Sequence, residues 1–427
     1  MTDHTHPAEA ACCRDFTRSR LSRRSLLQGA AVVGGGMAVT QMFGDALMQA
    51  TFAGTPGGNT MVVISLRGGI DGLGVVVPHA DPGYYTARPS TAVPVGSLLC
   101  KDAMFGLHPA MAPLESLWHS GELAAVQATG LRVANRSHFS AIEEVEDAAP
   151  GSEARTGWIN RMIGLGSTPG TLDAVQLGMN FPTTAMTGPR PVLAAQDLDS
   201  LQVPGLDDNP APRYQSLQTA WGSASGPLAS GAKEAVNISK GPGQQLKAMA
   251  DSTTPYPTVW NAIPFAEPLR NAAKLIRANI GTDVIAIDAG NWDLHTNYGT
   301  TAWGSMQSNI SGLAQALAAF MTDLGPLRSR VTVVTISEFG RRVAENGSQG
   351  FDHGWGNMML VAGAGVKGGR YHGSWPGLGS GSLIDGDLKV TTDYRNVLGE
   401  IVAKRFPDRS VPALFPDLAI APVGVMT

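Results

Sequence analysis

An acid at the end of a buried strand is the first sign of chemistry in this sequence. The β-branched run Val331–Ile336 predicts a strand, and Glu338 follows it closely. Fourteen residues after Glu338, Asp352 and His353 lie on a glycine-rich loop. Ligands of an open α/β sheet bind outside the carboxyl ends of its strands, so all three side chains are predicted ligands of a metal-assisted site. The alternative is an acid that begins a helix and a hydrogen-bonded Asp-His pair on the surface.

Two further predicted strands are also followed by acids. Asp71 comes soon after the strand predicted at 61–66, and Asp293 and His295 follow the strand predicted at 284–287. Alternate residues of an extended segment share one side, so Asp293 and His295 could bind one ion together. The alternatives are a helix N-cap or turn carboxylate for Asp71, and a hydrogen-bonded pair in a solvated loop for Asp293 and His295.

Ser137 lies between a predicted strand at 122–128 and a predicted acidic helix. The N-terminus of a helix favours an anion through its free N–H groups and its dipole, which suits a nucleophile that attacks an anionic ester. Arg136 could add a charge-assisted contact to a phosphate or sulfate oxygen. The alternative is that Ser137 serves only as an N-cap.

The elements that must position these residues belong to an open sheet. Strand-like and helix-like segments predict an α/β fold with a mostly parallel central sheet and helices on both faces. From about 197 to 264, Pro, Gly, Ser and Asn are dense, which predicts an irregular cap insertion over the sheet edge with a helix or two inside it. A late strand is predicted at 388–391, before a C-terminal helix.

The composition is that of a soluble, loop-rich globular protein. Of the 427 residues, 15% are charged, 43% are hydrophobic and 52 are glycines. The length allows one large domain or two ordinary ones, and we predict a single domain over 54–427. The net charge is −4, and the absence of a long basic run after the N-terminus argues against nucleic-acid binding.

The segment 1–53 has the pattern of an export signal. Arg23 and Arg24, followed by a mildly apolar stretch, resemble a twin-arginine signal, so the twin-arginine translocation machinery is a predicted partner. The alternative is a transmembrane helix, but Gln41 and Asp45 interrupt the apolar run.

Cleavage of this signal is predicted near Ala50 or Ala53. No stable membrane span would then remain, and the protein would reside in the periplasm, in the cell envelope or outside the cell. Only Cys100 would remain of the three cysteines, so the mature chain could not form an internal disulfide.

Short motifs recur in order over nearly the whole chain after the signal. They are L-R-G-G-I-D-G, F-G-L-H-P-A, N-R-S-H-F-S-A, G-W-I-N-R, N-W-D-L-H-T, S-E-F-G-R-R, D-H-G-W-G-N and T-T-D-Y-R. With these motifs the chain resembles the exported domain-of-unknown-function 1501 family, within the alkaline-phosphatase-like superfamily. The resemblance implies an alkaline-phosphatase-like fold.

The resemblance also implies a centre with two divalent ions, such as Zn²⁺, Mn²⁺ or Mg²⁺. Enzymes of the superfamily take one acid from the end of the first strand, which Asp71 matches by position. An Asp with a nearby His binds one ion, a role that Asp293 and His295 could fill, with Asp288 as the alternative to Asp293. A later histidine closes the first metal site, and His353 resembles it.

One motif departs from the superfamily. Glu338, Phe339 and Gly340 stand where an Asp-His-Gly turn is usual, so Phe339 replaces a ligand histidine. This departure favours the alternative function, a catalytically degenerate exported binding protein that holds a small anionic ester or a polysaccharide. A purely structural envelope protein is the third possibility.

The main functional hypothesis is a metal-dependent hydrolase of phosphate or sulfate esters. Ser137 resembles the superfamily nucleophile and would attack the ester. Arg136 or Arg341 would steady the anion. His138 or His353 would act as a ligand or as a general acid.

Overall fold

The computed structural model describes residues 47–48, 57–149, 156–166, 170–201 and 211–427. The predicted export signal at 1–53 lies outside the described residues, apart from the short strand Leu47–Met48. None of the helices in the described ranges combines the length and the apolar character of a membrane span.

The strands and helices are numbered here in chain order. The strands are β1 Leu47–Met48, β2 Thr60–Leu66, β3 Val76–Val77, β4 Gly106–Leu107, β5 Leu123–Gly130, β6 Ala174–Leu177, β7 Leu193–Ala195, β8 Val284–Ala289, β9 Val331–Ile336, β10 Asn357–Gly363, β11 Tyr371–His372 and β12 Thr392–Asp393. The helices are α1 Gly72–Val75, α2 Pro82–Ala87, α3 Glu115–His119, α4 His138–Asp147, α5 Trp158–Gly164, α6 Ala211–Gly222, α7 Pro227–Lys240, α8 Pro242–Ala248, α9 Ile263–Ala278, α10 Ser305–Leu324, α11 Tyr394–Arg405 and α12 Val411–Leu414.

One large mixed sheet forms the centre of the fold. Its strand order is β1-β7-β6-β8-β2-β9-β10-β5-β11, with β12 also paired to β5. The run from β7 to β9 is parallel, whereas β10 is antiparallel to both of its neighbours. The prediction of a mostly parallel sheet is therefore confirmed.

Strand β2 shows how the sheet becomes covered on both faces. Successive side chains of a strand point to opposite faces. Val62, Ile64 and Leu66 belong to the apolar core that includes α9 and α10. Met61 and Val63 belong to the core that includes residues of α4, α5 and α11. The apolar run of β2 thus serves two cores, and the predicted helices on both faces are confirmed.

The strand directions bring several loops to one edge of the sheet. Strands β2, β8 and β9 are parallel, so the segments that follow them leave from the same edge. Strand β5 is antiparallel to β10, as β9 is, and it therefore also ends there. Because β10 runs the other way, the loop that precedes Asn357 reaches this edge as well.

One local prediction was wrong. The predicted strand at 388–391 is a loop, and only Thr392–Asp393 pairs with β5. In that loop the Leu388 carbonyl instead accepts a hydrogen bond from Gly356 N at 3.0 Å. The described part of 197–264 contains the three helices α6, α7 and α8, where one or two were predicted.

His108 is a buried histidine that caps a short helix. Its Nδ1 accepts a hydrogen bond from Ala110 N at 3.0 Å, at the start of the 3-10 helix Pro109–Leu114. Burial lowers the pKa of His108 to about 4, although the carboxylate of Asp71 opposes this shift.

We predict that His108 makes folding sensitive to acid. Its ordinary pKa is 6.5, so above that pH it is neutral in both states. Between pH 6.5 and about 4 only the unfolded chain takes up the proton, and the free energy of unfolding falls as the pH falls. The loss approaches about 3 kcal/mol near the lower limit. Urea unfolding of the wild type and His108→Asn, which keeps a capping side chain, measures this difference. Equal pH slopes in the two proteins would contradict it.

Candidate functional site

Three ligand atoms from two loops meet at the shared edge of the sheet. Asp293 Oδ1 lies 3.1 Å from His295 Nε2 and 3.2 Å from His353 Nε2. The two Nε2 atoms are 3.0 Å apart. Zinc bonds to nitrogen and oxygen of about 2.0–2.2 Å place neighbouring ligand atoms about 3–3.5 Å from one another. The three separations therefore fit a shared divalent ion.

The hydrogen bonds of the two imidazoles also favour a cation at this point. His353 Nδ1 lies 2.9 Å from the Arg136 carbonyl, and His295 Nδ1 lies 3.2 Å from Asp352 Oδ1. Both of these oxygens can only accept, so both Nδ1 atoms donate. In the neutral rings each Nε2 then carries a lone pair directed towards the other ring and the Asp293 carboxylate. Arg341 donates to Asp293 Oδ1 and lies 3.4 Å from His295 Nε2, so it satisfies part of this group. The lone pairs that remain favour a proton or a metal ion between them.

His138 adds a fourth atom of the same kind. Its Nδ1 lies 2.8 Å from Glu338 Oε1, and its Nε2 is 3.5 Å from Asp293 Oδ2. Within the described chain, His138 Nε2 is buried and has no hydrogen-bond partner. Ligand atoms of His138, Asp293 and His353 all lie within 4.8 Å of one another. We call Asp293, His295, His353 and His138 the ligand group.

Glu338 and Asp352, which were predicted as metal ligands, lie behind this group. Glu338 Oε1 accepts hydrogen bonds from His138 Nδ1 and from Gly68 N, the latter at 2.8 Å. Its Oε2 accepts from the Ser337 hydroxyl. Asp352 lies on the Nδ1 side of His295. Both carboxylates therefore orient a histidine, as the outer partners of metal-binding histidines commonly do.

Arg341 orients Asp293, and its guanidinium nitrogens already donate to protein acceptors instead of a substrate. It is buried, and its Nε and Nη1 donate to the carbonyls of Gly69 and Phe351 at 2.6 and 2.9 Å. Its Nη2 donates to Asp293 Oδ1 at 2.6 Å. Burial opposes ionisation of Asp293, but Arg341 and the histidines outweigh it and lower the pKa of Asp293 to about 2. The structure therefore corrects the predicted anion contact of Arg341.

Asp71 is also placed differently from its prediction. Its two carboxylate oxygens accept from Nη1 and Nη2 of Arg88 at 2.6 and 3.0 Å, and Oδ2 also accepts from the Tyr298 hydroxyl. All three side chains are buried. Asp71 therefore neutralises a buried arginine and does not join the ligand group.

Ser137 precedes α4 and lies in sequence between Arg136 and His138, the second of which belongs to the ligand group. It is exposed, and no capping hydrogen bond of its side chain is found in the described structure. An N-cap side chain accepts a hydrogen bond from the first turn of its helix, and the Ser137 hydroxyl makes no such bond in the described structure. Arg136 contributes its carbonyl to His353, but its guanidinium donates to the buried carboxylate of Asp387, which corrects its predicted contact to the substrate.

Phe339 forms an apolar wall against two members of the ligand group. Its ring centroid is 4.8 Å from those of both His138 and His353. Gly69 allows this arrangement, because it has a φ of +63° and a Cβ there would lie 2.5 Å from the Phe339 ring. Phe339 thus packs against two imidazoles of the ligand group.

Arg67 is the residue that the sequence interpretation missed. It follows β2 directly, pairs with Asp288 and Glu146, and lines a pocket together with His138 and Asp293. Burial raises the pKa of Glu146 to about 7, with Arg67 opposing the shift. Asp288, the alternative ligand to Asp293, forms an ion pair with Arg67. The position of Arg67 directly after a buried strand was the available signal.

The sequence comparison identifies the family. Residues 118–392 match the model of the family described as "Protein of unknown function (DUF1501)". The chain belongs to this family. No curated protein matches the sequence. The family prediction is confirmed.

Several solved structures are similar to the chain at low sequence identity. A sulfatase, PsFucS1 from Pseudoalteromonas sp., has 10% identity and a TM-score of 0.36, and the match covers 86% of this chain and 73% of that one. The C-terminal periplasmic domain of EcEptC from Escherichia coli, in complex with Zn, has 8% identity and a TM-score of 0.32, with coverage of 74% and 76%. A mutant of the alkaline phosphatase of the Antarctic bacterium TAB5, with Mg bound, has 10% identity and a TM-score of 0.28, with coverage of 74% and 94%.

We predict that Asp71→Asn lowers stability but leaves metal binding intact. The substitution leaves the buried Arg88 charge without its carboxylate, which costs about 3–5 kcal/mol. Urea unfolding measures the stability, and elemental analysis of the folded protein measures bound metal. Asp293→Asn is the matched control and is expected to lose metal. Loss of metal from folded Asp71→Asn would show that Asp71 is a ligand after all.

Proposed function

We propose that this protein is an exported, divalent-metal-dependent hydrolase of phosphate or sulfate esters. The observation that carries the proposal is the convergence of lone pairs from His295, His353 and His138 on the Asp293 carboxylate. Arg341 donates to only part of this group, and without a further cation the remaining lone pairs would face one another as acceptors, at a cost in free energy.

The donor set favours Zn²⁺ over Mn²⁺ and Mg²⁺. Imidazole nitrogens suit zinc, whereas Mn²⁺ and Mg²⁺ prefer oxygen ligands and Mg²⁺ retains several waters. Asp293, His295 and His353 would hold the ion, and His138 is the fourth candidate. A divalent ion bound there would supply positive charge for the oxygens of the ester.

Ser137 is the proposed nucleophile. Its hydroxyl would attack phosphorus or sulfur, the alcohol would leave, and water would then release the anion from Ser137. The free N–H groups at the start of the ten-residue helix α4 favour negative charge beside this serine.

Arg67 is the proposed contact to the anionic ester, in place of Arg136 and Arg341. Its guanidinium lines the pocket beside His138 and Asp293, and Asp288 and Glu146 hold it there. Although burial alone would lower it, these carboxylates raise the pKa of Arg67, so its charge is retained. We propose that Arg67 steadies the oxygens of the ester.

The first expected result is one divalent ion per folded chain. Elemental analysis of the purified protein measures it, and His353→Ala is expected to reduce the content by at least about tenfold, as loss of a ligand should. His79→Ala is the control, because His79 contacts only the Asp102 carbonyl among the bonds described. A folded wild-type protein that retains no metal after dialysis against zinc and manganese would contradict the proposal.

The second expected result is hydrolysis of an aryl phosphate or an aryl sulfate that depends on Ser137. Ser137→Ala should lower kcat by about 100-fold or more, because the nucleophile is lost. Ser410→Ala is the matched control, since Ser410 also precedes a helix but its hydroxyl accepts from Ala413 N. Full turnover in Ser137→Ala would exclude this serine as the nucleophile.

A second candidate function is the binding of an anionic ester without turnover. The charged guanidinium of Arg67 lines the pocket, so part of the positive charge available to an anionic ester belongs to the protein. Binding of aryl phosphate in the presence of EDTA, with no hydrolysis when metal is added, would favour this candidate.

A further inference from the structure

A pocket of about 700 Å³ lies directly beside the ligand group. Small-molecule sites commonly enclose about 300–1,000 Å³. Arg67, His138, Asp293 and Glu338 contribute charged or ionisable groups to its wall. This polar part is where the proposed ester group would bind.

Two large aromatic side chains line the same pocket and are open to solvent. Phe139 is 87% exposed and Trp260 is 71% exposed. Phe139 follows His138 in the first turn of α4, whereas Trp260 comes from the end of the predicted cap insertion. Aromatic side chains of this size are usually buried, because their burial stabilises a fold or an interface. Two of them around one pocket, from distant parts of the chain, indicate a ligand that covers them.

Amide and hydroxyl side chains form a further part of the wall. Asn291, Ser305 and Asn309 line the pocket, and Asn309 Nδ2 donates to the Asn291 carbonyl at 2.8 Å. That hydrogen bond fixes the Asn309 amide at the pocket. Such groups pair with hydroxyl groups, and they would be left without partners by an acyl chain.

We propose that the ester is carried by a saccharide, so that the substrate is a phosphorylated or sulfated sugar. A sugar ring has a face of C–H groups, which packs on the electron-rich face of an aromatic ring, and an edge of hydroxyl groups, which bind amides. Trp260 supplies the stacking face, and Arg67 and the ligand group receive the anionic ester. This inference rests on the proposed function for the position of the ester group.

The test is equilibrium binding to the full chain, which requires no turnover. Titration calorimetry compares glucose 6-phosphate and glucose 6-sulfate with propyl phosphate and propyl sulfate, which carry the same anion without a ring. Ser137→Ala serves as the background if the wild type hydrolyses the probes. At least one sugar ester is expected to bind about tenfold more tightly than its propyl counterpart. Equal affinities of sugar and propyl esters would overturn the inference.

Trp260→Ala provides the second arm of the test. It is expected to weaken binding of the sugar ester by about tenfold and to change binding of the propyl ester by less than about twofold. Trp303→Ala is the matched control, because Trp303 is 58% exposed but does not line this pocket. Equal losses in Trp260→Ala and Trp303→Ala would contradict a stacking role for Trp260.

A lipid surface is the alternative occupant, and vesicles distinguish it. Phosphatidylcholine vesicles with 20% phosphatidylglycerol are expected to show no sedimentation with the protein. Co-sedimentation that Trp260→Ala abolishes would overturn the saccharide inference in favour of a membrane. Failure of aryl ester hydrolysis would instead count against the proposed function alone, since sugar binding is measured independently of turnover.

Discussion

The candidate site depends on the hydrogen bonds behind its three histidines. A neutral imidazole has one N–H and one lone pair, and an oxygen that can only accept decides which nitrogen keeps the proton. Glu338, Asp352 and the Arg136 carbonyl each receive an Nδ1–H, so the Nε2 lone pairs of His138, His295 and His353 turn towards Asp293. The specificity for a cation therefore arises one layer behind the atoms that would touch it.

Arginines set the charge balance around this layer. Buried carboxylates are costly unless they are paired, and the strand ends collect several of them. Arg88 pairs with Asp71, Arg67 with Asp288 and Glu146, and Arg341 with Asp293. Only Asp293 also faces the histidine lone pairs, which separates one candidate ligand from carboxylates that resemble it in sequence.

The sequence was sufficient to predict the sheet, the edge and most of the residues at it, because strand periodicity and strand ends are local features. It could not separate ligands from their supports. Glu338 and Asp352 meet the Nδ1 side of an imidazole, whereas Asp293 faces the Nε2 side, and this difference depends on loops remote in sequence. The pairing of Asp71 with Arg88 was equally hidden, since a buried arginine has no distinct pattern. The position of Trp260 at the pocket could not be predicted, because the composition of an irregular segment does not show which part of the fold it packs against.

Strand β10, which is antiparallel to both of its neighbours, explains why the site could form at this edge. In a run of parallel strands, the loop before a strand lies at the opposite edge from the loop after it. Strand β10 runs in the opposite direction, so it begins at the edge where β2, β8 and β9 end. The loop that precedes Asn357 therefore places His353 at that edge. Strand β5 is antiparallel to β10 in turn, and it delivers His138 to the same place. The reversal of a single strand thus unites ligands that purely parallel pairing would have placed on opposite sides of the sheet.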